Sequence, residues 1–171
     1  MSFNAPENYN GSETFTITVT DDNGATDSQS ITVTVNAVND APLASDISIV
    51  TDEDNGIVIQ LLGSDVDVNT TLSYEIVTST TNGSLSVDGA LVTYAPNTNF
   101  NGDDSFTYRV SDGLLDSDET TVTIFVVAIN DIPMIASVAP TSATEDIEYI
   151  YQTEVVDPDD TSFIYALDNA P

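Results

Sequence analysis

The chain has 171 residues, 40% of them hydrophobic, with 29 acidic residues against a single base, Arg109, and a formal net charge of -28. That balance excludes nucleic acid, whose binding needs clustered Lys and Arg to displace counter-ions, and it disfavours an anionic membrane surface for the same reason. With no cysteine and no histidine, Ser-His and Cys-His catalysis and the usual zinc and iron–sulfur sites fall away as well.

Oxygen chemistry remains. A chain this acidic repels itself unless counter-ions gather, and carboxylates are the preferred ligands of hard divalent cations. No apolar run reaches the roughly 18 residues a membrane span needs, so no membrane insertion is expected. The opening "MSFNAPENYN" lacks the basic and apolar regions of a signal peptide, so an export address is expected outside this segment. The absence of cysteine suits an exported protein that does not rely on disulfides.

In chain order, the first predicted strands lie in "NGSETFTITVTDDNGATDSQSITVTVNAVNDAP" (10–42), where Ile31, Val33 and Val35 alternate with Thr32 and Thr34. Next come "DISIV" (46–50), "GIVIQLL" (56–62), "LSYEIVT" (72–78), "SLSV" (84–87), "ALVTY" (90–94), "SFTYRVS" (105–111) and "ETTVTIFVVA" (119–128). In the last, Val122, Ile124 and Val126 share one face, with Thr121, Thr123 and Phe125 opposite. Asn-Gly pairs at Asn10, Asn23, Asn55, Asn82 and Asn101 supply the positive φ of tight turns. No helical spacing persists with caps. Seven short strands in about 90 residues predict an all-β fold, an immunoglobulin-like β-sandwich.

The pattern repeats. Residues 10–42 align without a gap on "NGDDSFTYRVSDGLLDSDETTVTIFVVAINDIP" (101–133), an offset of 91 residues kept by Phe15 and Phe106, by Asp21 and Asp112, and by the joints "NDAP" and "NDIP". "NAPENYNG" (4–11) pairs with "YAPNTNFNG" (94–102), and "TEDIEYIYQTEVVDPDDTSFIYAL" (144–167) echoes "DEDNGIVIQLLGSDVDVNTTLSYEI" (52–76). The expected organisation is the C-terminal part of one module over 1–38, a complete module over 39–130 and the N-terminal part of another over 131–171. Both ends fall inside a repeat, as in a piece of a longer array.

These residues resemble the cadherin-like and Ig-like tandem repeats of giant bacterial surface adhesins of the RTX type. The carriers are the Asn-Asp-x-Pro joint, "TDED" (51–54), "SDVDVNTTLSYEIV" (64–77), "NGSL" (82–85), "VTYAPNTNFNGDDSFTYRVSDG" (92–113) and "TVTI" (121–124). The incomplete third module, ending "ALDNAP" (166–171), looks more like a related Ig repeat. The resemblance implies an extracellular array on a bacterial cell surface, serving adhesion or biofilm attachment as spacers or adhesive heads. Its implied partners are neighbouring modules of the same array and a surface glycan or protein.

Four acidic groups are candidate ligands for Ca2+, which takes 6–8 oxygens in irregular geometry. They are the joints Asn39-Asp40 and Asn130-Asp131, the Asp-x-Asp pairs Asp65/Asp67 and Asp157/Asp159, the pair Glu53/Asp54, and the turn acids Asp21/Asp22 and Asp112. The resemblance places Glu53/Asp54 at the far end of their module. The cadherin joint, D-x-N-D-N-x-P, has lost its first Asp and last Asn here, so one or two ions per joint are expected rather than three. Against metal stands turn chemistry, since Asp and Asn cap turns by accepting backbone N–H bonds.

Asp103, Asp104, Asp116, Asp118 and Glu119 are expected on a solvated face. Tyr94, Phe100, Phe106 and Tyr108 are expected to fill a core or an edge rather than to stack on sugar, and Arg109 to pair with a carboxylate across the sheet. Two-carboxylate hydrolysis lacks a pocket signal, so no enzyme activity is expected. Three function classes follow: a calcium-stiffened spacer rod, a glycan- or protein-binding adhesion module, and a filament subunit whose part-modules complete one another between copies.

Overall fold

The structure is a computed structural model, and residues 4–166 are described. Among these there are thirteen strands and no helix. The first two, β1 (Gly11–Thr20) and β2 (Thr26–Val35), pair antiparallel from Gly11 opposite Val35 to Thr20 opposite Thr26. The turn closes on Asp21, whose Oδ1 accepts the N–H groups of Asn23 (2.9 Å) and Ala25 (2.8 Å), while Gly24 takes φ +86°. Period-two alternation gives the hairpin two unlike faces. Hydroxyl pairs Thr14–Thr32 (3.0 Å) and Ser12–Thr34 (3.2 Å) line one, and Ile17, Val19, Ile31 and Val33 the other.

The next nine strands form one sandwich. They are β3 (Leu43–Ala44), β4 (Ile47–Asp52), β5 (Ile57–Gln60), β6 (Gly63–Ser64), β7 (Ser73–Thr78), β8 (Gly83–Asp88), β9 (Leu91–Pro96), β10 (Gly102–Ser111) and β11 (Thr120–Val127). One sheet has the order β4-β11-β10-β7, the other β5-β9-β8, and the two-residue strands β3 and β6 pair separately. All neighbours are antiparallel except β4 and β11, which run parallel from Ile47 opposite Val122 to Asp52 opposite Val127. The seven predicted strands all form. The two-residue β3 and β6 carry no period that sequence patterning could register.

The core lies between the two sheets. Phe106, Tyr108 and Val110 of β10 and Val122, Ile124 and Val126 of β11 meet Ile59, Leu61, Val92 and Tyr94, all buried. Each large side chain so buried is worth about 1.5–3 kcal/mol over its exposed state. Phe125, on the opposite face of β11 as its parity predicts, stays half exposed. Tyr108 does more than fill space. Its hydroxyl lies 2.7 Å from the Ser45 carbonyl and 2.9 Å from that of Leu62, holding the shared end of the β3–β6 pair to β10. At Gly83 a Cβ would stand 2.3 Å from the Tyr94 ring and 2.7 Å from the Ala95 carbonyl, so only glycine lets β8 approach β9 this closely.

Two charged residues are resolved differently. Arg109 pairs across the sheet with Glu75, its register partner on β7, at 2.6 Å, and reaches Asp116 at 3.5 Å, as its position between strands predicts. Asp104 departs from the expected solvated face. It is only 7% exposed, and its carboxylate accepts the N–H groups of Thr81 (3.1 Å), Asn82 (3.0 Å) and Ser105 (2.9 Å) and the hydroxyl of Tyr94 (3.1 Å). The reason is parity: Asp104 shares the inward register of Phe106, Tyr108 and Val110, and four donors replace the water it loses. Burial and the neighbouring carboxylate push the Tyr94 hydroxyl well above its ordinary pKa.

Beyond the sandwich, β12 (Met134–Ile135) and β13 (Val155–Val156) pair antiparallel, repeating the β3–β6 pairing. Of the predicted third module, the last residues of "ALDNAP" (167–171) lie outside the described residues.

Candidate functional site

The two joints are built alike, bond for bond. At the first, the Asp40 N–H donates to Asp67 Oδ2 (2.9 Å), the Asp67 N–H to Asp65 Oδ1 (2.8 Å), and the Asn39 amide to the Asp40 carbonyl (3.1 Å). At the second, the Asp131 N–H donates to Asp159 Oδ2 (2.6 Å), the Asp159 N–H to Asp157 Oδ1 (2.9 Å), and the Asn130 amide to the Asp131 carbonyl (2.6 Å). The Asp-x-Asp loop thus folds onto the joint preceding its own module. The first Asp shapes the loop and the second grips the linker.

The side contributed by the preceding module is seen in full at the second joint. Glu53, just past β4, is 3% exposed. Its N–H donates to the Val127 carbonyl (2.9 Å), and its Oε1 accepts the Ile129 N–H (2.5 Å). The parallel pairing of β4 with β11 brings it there, because both strands end at the same end of the sandwich. Asp54 follows with φ 58°, and its Oδ1 accepts the N–H of Asn99, itself at φ 57°. The Asn99 amide then donates to Asp131 Oδ2 (3.2 Å) and Asp54 Oδ2 (3.3 Å), bridging one module to the linker of the next.

Asn99 was not among the residues singled out in the sequence. Asn8, 91 residues earlier, shares its φ of 57° and lines a cavity of about 230 Å³ at the first joint with Tyr9, Asp40 and Asp67. The Glu-Asp geometry also recurs: Asp146, in the third part-module, takes φ 66° where Asp54 takes 58°.

The turn acids part company. Asp112 lies at the first joint, where its Oδ2 accepts the Asn39 amide (2.7 Å) and its Oδ1 the N–H groups of Leu114 (2.6 Å) and Leu115 (2.7 Å). Asp21 and Asp22 sit at the opposite end of β2, a ten-residue strand and so about 33 Å from Asn39. The structure does not bring them to either joint.

Electrostatics distinguish the two clusters. The Asp112 carboxyl is held below the ordinary range, chiefly by the Leu115 N–H, then by the Asn39 amide and the Leu114 N–H. Asp131 is pushed above it, first by loss of water and then by Asp159, Asp54, Glu53 and Asp157. Five carboxylates therefore act on one another at the second joint with no base among them. Among the described residues no three acidic side chains already stand together as a finished metal group. Two carboxylate oxygens are nonetheless buried without a partner: Glu53 Oε2 at the second joint and Asp65 Oδ2 at the first. An unpartnered buried carboxylate oxygen is costly, and a hard cation with 6–8 oxygen ligands is the group that would satisfy it. The donor set fits: carboxylates, an Asn amide and backbone carbonyls, with no nitrogen or sulfur ligand.

The class of protein is set by the two-sheet, seven-strand sandwich, an immunoglobulin-like and cadherin-like fold. Residues 1–34 and 39–125, more than half of the chain, match the family described as bacterial Ig domain. The chain belongs to that family. It is similar to the integrin beta-like protein A of Dictyostelium discoideum, 33% identical over 117 residues that make up 59% of this chain and 6% of that one. In structure it is similar to protocadherin gammaB7 repeats EC3-6, with TM-score 0.58, 22% identity, and coverage of 88% of this chain and 44% of that one. Drosophila N-cadherin EC1-4 gives TM-score 0.52 and 18% identity, covering 90% of this chain and 42% of that one. Both likenesses concern the fold. Among the described residues no helix is long and apolar enough to cross a membrane.

Proposed function

We propose that the chain is a segment of an extracellular adhesin array on a bacterial surface, in which calcium bound at the joints holds successive Ig-like modules in line. The modules run over 1–38, 39–130 and 131–171. The observation that carries the reading is the convergence at the second joint: Glu53, Asp54 and Asn99 of one module face the linker acid Asp131 and the Asp157/Asp159 loop of the next. Without a cation these carboxylates repel one another and the hinge opens. Calcium supplies the neutralising charge and the shared ligand sphere that fix the angle between modules.

At the second joint Glu53, Asp54, Asn99, Asp131 and Asp159 would hold the ion, with Asp157 shaping the loop. At the first joint Asp40, Asp65 and Asp67 would do so. Affinity should fall at roughly 10⁻⁴–10⁻³ M, as for extracellular modules. The strand aromatics Tyr94, Phe106 and Tyr108 are in the core. A sugar-stacking platform would therefore have to come from other residues, which favours the spacer role over an adhesive head.

The test is thermal unfolding and small-angle scattering in EDTA, in millimolar calcium and in millimolar magnesium. A calcium-specific rise in Tm with a longer maximum dimension supports the proposal. Identical curves in all three would leave an acidic spacer whose joints bend freely.

A further inference from the structure

Five Asn-Gly pairs stand in the chain, at Asn10, Asn23, Asn55, Asn82 and Asn101. Besides turning the chain, such a pair carries a reactivity of its own. Glycine has no Cβ to crowd its nitrogen, so that nitrogen can reach the side-chain amide carbon of the Asn before it. Ring closure needs a backbone free to rotate between the two residues and a glycine N–H free to lose its proton.

The fold withholds one or the other at four of the pairs. Gly11, Gly83 and Gly102 each open a strand and are held in register, opposite Val35, Pro96 and Val126. Gly83 is enclosed further by the Tyr94 ring. Gly24 lies in a turn, but its N–H donates to the Asp21 carbonyl (3.0 Å). Gly56 differs. It lies between β4 and β5 of the complete module, and among the described residues no backbone or side-chain acceptor takes up its N–H. Asn55 and Gly56 are both exposed, and the Asn55 N–H reaches the Asp52 carbonyl only at 3.4 Å, beyond the usual hydrogen-bond length.

We propose that Asn55-Gly56 is a site of spontaneous deamidation, which sets a further carboxylate beside Glu53 and Asp54. The Gly56 nitrogen, having lost its proton to the solvent, attacks Cγ of Asn55. The Cγ–Nδ2 bond breaks, and the amide leaves as ammonia with a proton taken from water. Water then opens the five-membered imide. Cleaving the new N–Cγ bond gives aspartate at position 55, and cleaving the original peptide C–N bond gives an isoaspartyl link whose main chain runs through Cγ. Either product loses the amide donor that Asn55 gives the Glu53 carbonyl (3.1 Å). The isoaspartyl link also lengthens the main chain between Asp54 and β5, and it turns the carbonyl that accepts the Thr51 hydroxyl (3.1 Å) into a free carboxylate. The turn that carries Asp54 is therefore altered slowly and irreversibly, whether or not calcium binds there.

The test incubates the 171-residue chain in warm, mildly alkaline buffer with EDTA, so that it does not depend on the calcium reading. Peptide mapping by mass spectrometry follows each pair. Amide loss at Asn55 should run about tenfold faster than at Asn23, Asn82 or Asn101, the factor that one ordinary hydrogen bond imposes, with aspartyl and isoaspartyl products both found. In urea, where every pair is free, the rates should converge. Gly56→Ala should slow the loss at Asn55 without unfolding the module, since its Cβ would stand 3.3 Å from the Tyr94 carbonyl and a small shift relieves that contact. Asn55→Gln, whose ring would be six-membered, should leave position 55 inert. Equal rates at all pairs in the folded chain would overturn the proposal, as would faster loss at Asn23. An Asn55 equally far ahead in urea would overturn it too, because its sequence neighbours and not the fold would then set the rate. A Tm raised by calcium in a chain whose Asn55 keeps its amide would uphold the stiffened joint and reject this site.

Discussion

The two joints share their linker and their Asp-x-Asp loop, yet they differ in what lies beneath. The second rests on Glu53 and Asp54, delivered by the end of β4, and on Asn99, delivered by the loop before β10. At the first, Asn8 and Tyr9 of the preceding module stand beside Asp40 and Asp67. The second joint teaches that the linker motif alone makes half a site. The other half is set by sandwich topology, because a strand that begins the module must run parallel to the one that ends it.

The largest effect should come from removing what holds the second joint's floor in place. Asp104 accepts the Asn82 N–H; the Asn82 carbonyl accepts that of Asn97, whose carbonyl accepts that of Phe100, fixing the loop that carries Asn99. Asp104→Ala leaves the buried Tyr94 hydroxyl and three part-buried N–H groups without this acceptor, and a buried donor so orphaned costs about 1–3 kcal/mol before relaxation. A loss of about 3 kcal/mol in the middle module is expected, a Tm lower by roughly 10–20 °C. The calcium response of the second joint should weaken with it while the first joint's is kept. A Tm within two degrees of the parent would show that water replaces the carboxylate and that the loop needs no such support.

Next in size is Glu53→Gln, which keeps the Ile129 contact and removes one charge from the second joint. The calcium midpoint there should rise roughly tenfold or more, as ligand charge sets affinity in oxygen sites. The midpoint at the first joint should not move. Amide shifts of Asp131 and Asp40 during a calcium titration report the two joints separately, and equal displacement of both would erase the distinction between them.

Acid should act on the joints in opposite directions. Asp112 is held below the ordinary carboxylate range, so its contribution is present above that range and is lost as pH falls through the lowered value. Asp131 is pushed above the range, so its contribution is present below the ordinary value and is lost as pH rises through the raised one. In EDTA the first joint therefore loosens in acid, and the second loosens toward neutrality, where calcium is needed most. Carboxyl carbon shifts should show Asp131 titrating above free aspartate and Asp112 below it. The same side for both would remove the electrostatic contrast.

How much of this was legible beforehand depends on the range of the interaction. The seven strands followed from period-two alternation, and the joints from a 91-residue offset, both local signals. Glu53 was placed at the far end of its module by resemblance to cadherin repeats, and the parallel β4–β11 pairing supplies the physical cause. Asp104 leaves the solvated face expected of a charge because parity decides: it alternates with Phe106 and Tyr108 on the inward face of β10. Asn99 was overlooked because an Asn in "NTNFNG" looks like any turn residue; only its φ and its spatial neighbours set it apart. Asp112 sits 73 residues after Asn39 in sequence, and only the fold brings it to the joint that opens its own module.

The smallest effect expected is that of Arg109→Gln, which removes the single base of the chain. Its partners Glu75 and Asp116 are, like Arg109 itself, well exposed to solvent, so the pairs are screened and a Tm change of about 1–2 °C is expected. Arg109 lies three residues before Asp112, at the first joint's end of the sandwich, and over 50 residues from Glu53 and Asp54 at the other end. At physiological salt a charge acts over about 8 Å. Whatever it contributes is therefore felt at the first joint, where its loss should tighten calcium by less than about twofold, and not at the second. A change at the second joint alone would mean that the modules share charge along their whole length, and that the joints cannot be treated as separate sites.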